Sequence, residues 1–153
     1  MEEFDLRINE RNIKLIKDLV SIVIPTHKRP ELLKKAIESA LYQTYELTEI
    51  IVVDDNSGDN TEQVVNAFNN EKIRYFKNDI SLGGAGTRNV GIENSQGEFI
   101  AFLDDDDIWY KDKIELQVQK IKENDNNVLC TCGLQVVYVA EKLKYFNFPK
   151  LDD

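Results

Sequence analysis

Cysteine is scarce: Cys130 and Cys132, spaced C-x-C, are the only two in 153 residues. Two cannot build a disulfide framework, and no further soft metal ligands stand near them. They read as buried free thiols in a reducing compartment. Long apolar runs are missing too. No stretch approaches the roughly 18 residues of a membrane span, and Met1-Glu2-Glu3-Phe4-Asp5 has none of the apolar character of a signal peptide. The default location is cytoplasmic, with attachment to a membrane face through a partner or a further segment left open. Positive charge is in deficit, with 19 Lys and Arg against 28 Asp and Glu and a formal net charge of −9. Non-specific nucleic-acid binding needs cations to neutralise phosphates, so that balance argues against it. A phosphate-bearing ligand would need a metal ion or a local basic patch. There is one histidine, His27, in a loop beside Lys28 and Arg29. This is the one basic cluster at a strand end, open to a phosphate contact or to solvent, and His27 is not assigned as a general base. Also absent are the G-x-G-x-x-G dinucleotide fingerprint, the Gly-Lys-Ser/Thr of a Walker loop, internal repeats and low-complexity tracts.

What is present suits one globular domain. Hydrophobic residues make up 42% and charged residues 31%, too apolar for a disordered chain. Residues 1–19 read as an N-terminal extension, with helical spacing over Asn12–Asp18 and no chemistry of their own. A single domain then spans 20–153. Val20–Ile24 is a β-branched run ended by Pro25 and reads as a buried strand. Pro30 sits at a first helical position, and Leu32, Leu33, Ala36, Ile37, Ala40 and Leu41 follow at helical spacing. Glu49–Val53 is a second strand. Asp59 with Glu62 resembles a capping box for a helix through Val64, Val65, Ala67 and Phe68. Ile73–Phe76 is a third strand, residues 82–94 a third helix, Phe99–Leu103 a fourth strand and Lys111–Glu123 a fourth helix. Val128–Cys132, Leu134–Val139 and Leu143–Phe148 look like further strands. The alternation predicts an α/β fold with a mostly parallel sheet flanked by helices, and a mixed or antiparallel edge near the C-terminus.

Four consecutive aspartates, Asp104–Asp107, end the fourth strand. Read locally they are either a solvated acidic turn or a cation site, because adjacent carboxylates repel and a hard cation relieves that. Parallel neighbouring strands would bring together the loops after strand one (Pro25–Arg29), strand two (Asp54–Gly58) and strand four, which favours the second reading. Gly83-Gly84-Ala85-Gly86 opens the third helix and would let a ligand approach backbone. Arg88, one turn in, could reach a diphosphate or a base, or pair with one of the many acids. Trp109 and Tyr110 read as packing residues or the lip of a pocket.

Five blocks in order then carry a resemblance: Val20-Ser21-Ile22-Val23-Ile24-Pro25-Thr26; Gln43-Thr44-Tyr45; Glu49-Ile50-Ile51-Val52-Val53-Asp54-Asp55-Asn56-Ser57; Gly86-Thr87-Arg88-Asn89-Val90-Gly91-Ile92; and Gly97-Glu98-Phe99-Ile100-Ala101-Phe102-Leu103-Asp104-Asp105-Asp106-Asp107. Together they resemble the family 2 glycosyltransferases of the GT-A fold, over about residues 20–125. The resemblance implies a Rossmann-like nucleotide-sugar-binding domain that uses Mn2+ or Mg2+ and transfers with inversion. It implies that Asp55 hydrogen-bonds a uracil ring and that Pro25, Thr26 and His27 line the nucleoside. Arg29 and Arg88 fall near the nucleotide. Asp104-Asp105-Asp106 looks like the D-x-D element, with Asp104 and Asp105 toward the nucleotide and Asp106, then Asp105, as metal ligands. Asp107 is left as structural. The implied partners are a UDP-sugar donor and a carbohydrate or lipid-linked acceptor, with self-association compatible. The family's general base lies in a later segment, and Glu141, Asp152 and Asp153 match no motif, so no base is named. The expectation is therefore a metal-dependent glycosyltransferase domain with its acceptor half missing. The alternatives are a non-catalytic nucleotide-sugar-binding or scaffold domain, a truncated inactive fragment, and, less supported, a nucleotidyltransferase.

Overall fold

The computed structural model describes residues 15–123. Its elements follow in the order β1 (Ile16–Thr26), α1 (Pro30–Leu41), β2 (Thr48–Asp54), α2 (Thr61–Asn66), β3 (Ile73–Lys77), α3 (Gly83–Asn94), β4 (Gly97–Phe102) and α4 (Lys113–Lys122). The chain divides into two compact units, Met1–Asp112 and Lys113–Asp153. The first carries a four-stranded sheet ordered β3-β2-β1-β4 in which every pair is parallel. Of the second, the described part is α4, which buries Ile114 and Val118 one turn apart.

β1 and β2 lie at the centre of the sheet and read as nearly unbroken β-branched runs, as strands covered on both faces do. Alternation along the strands sends Val23, Ile51 and Val53 to one face, where Phe76 and Val90 pack with them. α3 lies so close on that face that a Cβ on Gly91 would stand 2.2 Å from Val23 Cγ1. Glycine lowers helix propensity, so the close approach is what requires it here. α1 buries Leu33, Ala36, Ile37 and Ala40, an i, i+3, i+4, i+7 stripe, and packs on β1. Pro30 does occupy the first turn.

The end of the sheet away from the strand C-termini is tied by a polar network. Glu49 Oε1 accepts from Ser21 Oγ at 2.7 Å and from the Gln96 amide at 2.7 Å. Glu49 Oε2 pairs with Arg74 Nη1 at 3.0 Å, and Arg74 Nη1 also donates to the Asn94 carbonyl. The Gly97 amide donates to Ser21 Oγ. A Cβ at Gly97 would meet the Leu19 carbonyl oxygen at 2.5 Å, so only glycine fits between β1 and this network.

Several expected boundaries move for physical reasons. β1 takes in Ile16–Asp18, where spacing predicted helix, because ladder bonds to the β4 end compete successfully. The Ile16 amide donates to the Gln96 carbonyl, and the Asp18 amide donates to Glu98 Oε2 across an irregular register. β1 also runs through Pro25. Its pairing with β4 stops at Val23, so beyond that point it has one neighbour and tolerates a residue without an N–H. α2 ends at Asn66, and Phe68 and Asn69 donate to carbonyls three residues back, tightening the chain into a turn. Asn60 holds the α2 cap position, and Asp59 Oδ1 instead accepts from the Thr61 amide and hydroxyl just outside it. α4 starts at Lys113, two residues late, since the Lys111 carbonyl accepts from the Thr44 amide. The expected strands from Val128 on, the mixed edge and both cysteines lie outside the described residues.

Candidate functional site

In a parallel sheet the C-terminal ends of adjacent strands open on one crevice. Here β2, β1 and β4 are neighbours, and their three following loops are joined by hydrogen bonds. The Asp55 amide donates to the Thr26 carbonyl at 2.9 Å, and the Lys28 amide donates to Ser57 Oγ at 2.8 Å. The Thr26 hydroxyl donates to Asp105 Oδ2 at 2.8 Å. The convergence expected from the sequence is therefore present.

The two acids at the end of β2 turn inward. Asp54 Oδ1 accepts from the Ser57 amide and hydroxyl, and Oδ2 accepts from the Tyr75 hydroxyl. The first pair folds the 55–58 loop into a turn with Asn56 and Gly58 at positive φ. Burial and the bond to Asp54 push the Tyr75 phenol well above its ordinary range. Asp55 takes a donor on each of the four sites a carboxylate offers. Asn78 Nδ2 and the Leu82 amide donate to Oδ1 at 2.8 and 2.7 Å. Ser81 Oγ and the Gly83 amide donate to Oδ2 at 2.6 and 3.0 Å. Burial alone would raise this carboxyl, but the bonds from Ser81, Leu82 and Asn78 outweigh it and hold Asp55 well below the usual range. Asp55 thus supplies from β2 the cap that α3 lacks locally, since Leu82 makes no side-chain cap bond. Asn78 and Ser81 were not singled out in the sequence. Their only signal was a pair of turn-forming residues directly after a strand.

The acids after β4 are arranged differently. Asp104–Asp107 is a turn closed by the Asp107 amide donating to the Asp104 carbonyl at 3.0 Å. Asp105 is 6% exposed and Asp106 is open, its side chain 53% exposed. One nitrogen, Arg29 Nη1, bridges them, 3.1 Å from Asp105 Oδ1 and 2.8 Å from Asp106 Oδ2. Arg88 Nη2 pairs with Asp104 Oδ1. Partial burial, then the charges of Asp106 and Asp104, push the Asp107 carboxyl up. Among the described residues no three His, Cys, Asp or Glu stand together in a group able to hold a metal ion unaided.

The other expected site residues sit around this turn. Pro25 and Thr26 are buried in the last β1 positions, and His27, Lys28 and Arg29 are exposed beyond them. His27 Nδ1 lies 2.8 Å from the Asp55 carbonyl oxygen, which can only accept, so that nitrogen carries a proton. Gly83 opens α3 at φ 70, with the Thr87 hydroxyl donating to its carbonyl. The chain after the acids is fastened to the end of α1. Gln43 Nε2 donates to the Tyr110 carbonyl and the Trp109 amide donates to Ser39 Oγ. The Gln43-Thr44 pair of the second sequence block holds this segment, which its sequence gave no means of foreseeing.

The model for glycosyl transferase family 2 matches residues 21–144. The UDP-Glc:alpha-D-GlcNAc-diphosphoundecaprenol beta-1,3-glucosyltransferase WfgD of Escherichia coli is 40% identical over 107 residues, 70% of this chain and 42% of that protein. The GalNAc(5)-diNAcBac-PP-undecaprenol beta-1,3-glucosyltransferase of Campylobacter jejuni is 39% identical over 119 residues, 76% of this chain and 38% of that one. The solved structure of S. aureus TarS 1-349 in complex with UDP-GlcNAc superposes with a TM-score of 0.65 at 28% identity, covering 69% of this chain and 31% of that one. The chain thus spans less than half the length of these relatives. The family match extends over most of the chain and agrees with the parallel sheet and its strand-end acids: this protein belongs to glycosyl transferase family 2.

Proposed function

We propose that this chain is the donor-binding portion of an inverting, metal-dependent glycosyltransferase that takes a UDP-sugar and serves a lipid-linked acceptor. The observation that carries the reading is the acidic turn Asp104–Asp107, fixed at the ends of adjacent strands by Thr26 and Arg29. The donor class is supported by the names of the two glucosyltransferase relatives, one of which specifies UDP-Glc, and by the UDP-GlcNAc complex of TarS. Acceptors linked to diphosphoundecaprenol or PP-undecaprenol in those names support a membrane-bound acceptor and peripheral attachment. Among the described residues no helix is long and apolar enough to cross a membrane.

The donor set fits a hard divalent cation. Such ions, Mg2+ above all, are commonly held by one or two carboxylates and completed by substrate phosphates and water, so an unaided three-residue cage is not required. Asp106 and Asp105 would hold Mn2+ or Mg2+, with Asp104 oriented by Arg88. When bound, the cation supplies charge that stabilises the departing diphosphate. The chain's own residues do the rest of the donor binding. Thr26 fixes one oxygen of Asp105. Pro25, Thr26 and His27 line the nucleoside side. Asp55 holds the α3 start against β2, and it can accept a uracil N–H only when one of its four present donors yields. Ser81, exposed and rotatable, is the donor that yields. No residue is assigned as acceptor-activating base.

The test is calorimetric. Asp106→Ala should abolish Mn2+-dependent UDP binding, and affinity unchanged from wild type in Mn2+ would refute the metal assignment. Donor turnover in the same samples separates a catalytic chain from one that binds without transfer.

A further inference from the structure

The acidic turn already has a cation, and it is Arg29. A single guanidinium nitrogen lies between Asp105 Oδ1 and Asp106 Oδ2, the oxygens of the two proposed metal ligands. Among the described residues Arg29 Nε and Nη2 have no hydrogen-bond partner, and the side chain is half exposed. Asp105 is buried, and the bond from Thr26 leaves Oδ1 to be satisfied by Arg29. Arg88 compensates Asp104 in the same way. Two cations thus partly offset the four carboxylates of the turn, and the excess stays negative.

We propose that Arg29 is the resident counter-ion of the acidic turn, displaced by the divalent cation and then taken up by the diphosphate that accompanies it, so that cation and nucleotide bind cooperatively. This rests on the metal-dependent reading above. A divalent cation arriving alone must take carboxylate oxygens from Arg29 and leave a guanidinium beside a double positive charge. A diphosphate arriving alone meets four carboxylates. Arriving together, the cation replaces Arg29 on the carboxylates, and the freed guanidinium, with its fork of donors, meets phosphate oxygens. Each ligand then raises the other's affinity by the same factor, as linkage requires.

The experiment measures Mn2+ binding to the full 153-residue chain by titration calorimetry and by the free-Mn2+ magnetic-resonance signal, with and without saturating UDP. It compares wild type, Arg29→Gln and Arg29→Lys at fixed ionic strength. Wild type should bind Mn2+ alone weakly and at least tenfold more tightly with UDP. Arg29→Gln should bind Mn2+ alone at least threefold more tightly than wild type, while the enhancement by UDP shrinks by a similar factor or more. Arg29→Lys, which keeps the charge, should stay within about twofold of wild type for Mn2+ alone. If wild type binds Mn2+ with UDP but Arg29→Gln binds Mn2+ alone no more tightly than wild type does, the counter-ion role is overturned and the metal reading stands. If wild type binds no Mn2+ even with UDP, the metal reading itself is overturned.

Discussion

Replacing Asp55 by Asn tests the cap that β2 provides to α3. The amide keeps one acceptor oxygen and turns an NH2 toward a pair of donors. In one orientation that pair is Ser81 Oγ with the Gly83 amide, and in the other it is Asn78 Nδ2 with the Leu82 amide. Ser81 can rotate its hydroxyl and Asn78 can flip, but each pair contains a backbone N–H that cannot turn away. One part-buried amide is stranded and the remaining bonds lose their charge, at about 1–3 kcal/mol for each such loss. The expected destabilisation is about 3 kcal/mol, or roughly 6–12 °C in Tm for a chain of this size. Urea unfolding followed by circular dichroism measures it. The pH dependence gives a second check. Asp55 has a depressed carboxyl, so its contribution is full above the unfolded carboxylate value of about 4 and is lost as pH falls below that toward the folded one. The gap between wild type and Asp55→Asn should hold constant from pH 8 to 5 and narrow at pH 3. A gap under about 0.5 kcal/mol at pH 7, or one just as wide at pH 3, would refute the argument.

Other substitutions probe the frame around the site. Gly91→Ala drives a methyl into Val23 and should cost about 1–3 kcal/mol by overpacking; a neutral result in urea melts would mean α3 lies further from β1. Glu49→Gln removes the charge that Ser21, Gln96 and Arg74 share, and because Arg74 is a third exposed the loss should be about 2 kcal/mol rather than that of a fully buried pair. Equal stability of Glu49→Gln and wild type across pH 6–8 would refute the network's role. Thr26→Val removes the bond to Asp105 at nearly constant volume and should cost about 1 kcal/mol by the same denaturation assay, with no loss counting against the bond.

The strand and helix order was legible because each element carries its own periodicity: unbroken β-branched runs for β1 and β2, a 3–4 spacing for α1. The acidic run at the end of β4 was legible for the same local reason. What Asp54 and Asp55 do was not. Written side by side after a strand, they look equivalent to Asp104–Asp107, yet their partners are Ser57, Tyr75, Asn78, Ser81 and two amides of α3. Those partners lie up to 28 residues ahead, and nothing in the local pattern states which acid will meet a donor and which will meet solvent. Arg29 and Arg88 illustrate the converse. The sequence marks both as cations near the site, but the pairing of Arg29 with Asp105 and Asp106 depends on β1 and β4 becoming neighbours, and that of Arg88 with Asp104 on where α3 lies relative to the end of β4.

That neighbour relation has a temporal side. Among the described residues the sheet order β3-β2-β1-β4 makes β1 wait for β4, and Thr26 and Asp105, which join in the site, are 79 residues apart. β1, β2 and β3 can assemble while the ribosome is still making α3, but the β1 edge stays open until β4 emerges. Closing so long a loop is slow for entropic reasons. During that interval the nascent sheet exposes the backbone of β1, a largely buried strand in the finished fold, and a second chain could pair there first. The acids that complete the crevice are thus delivered by the same event that covers β1, and a chain able to hold its ligand is one whose first strand is already paired on both sides.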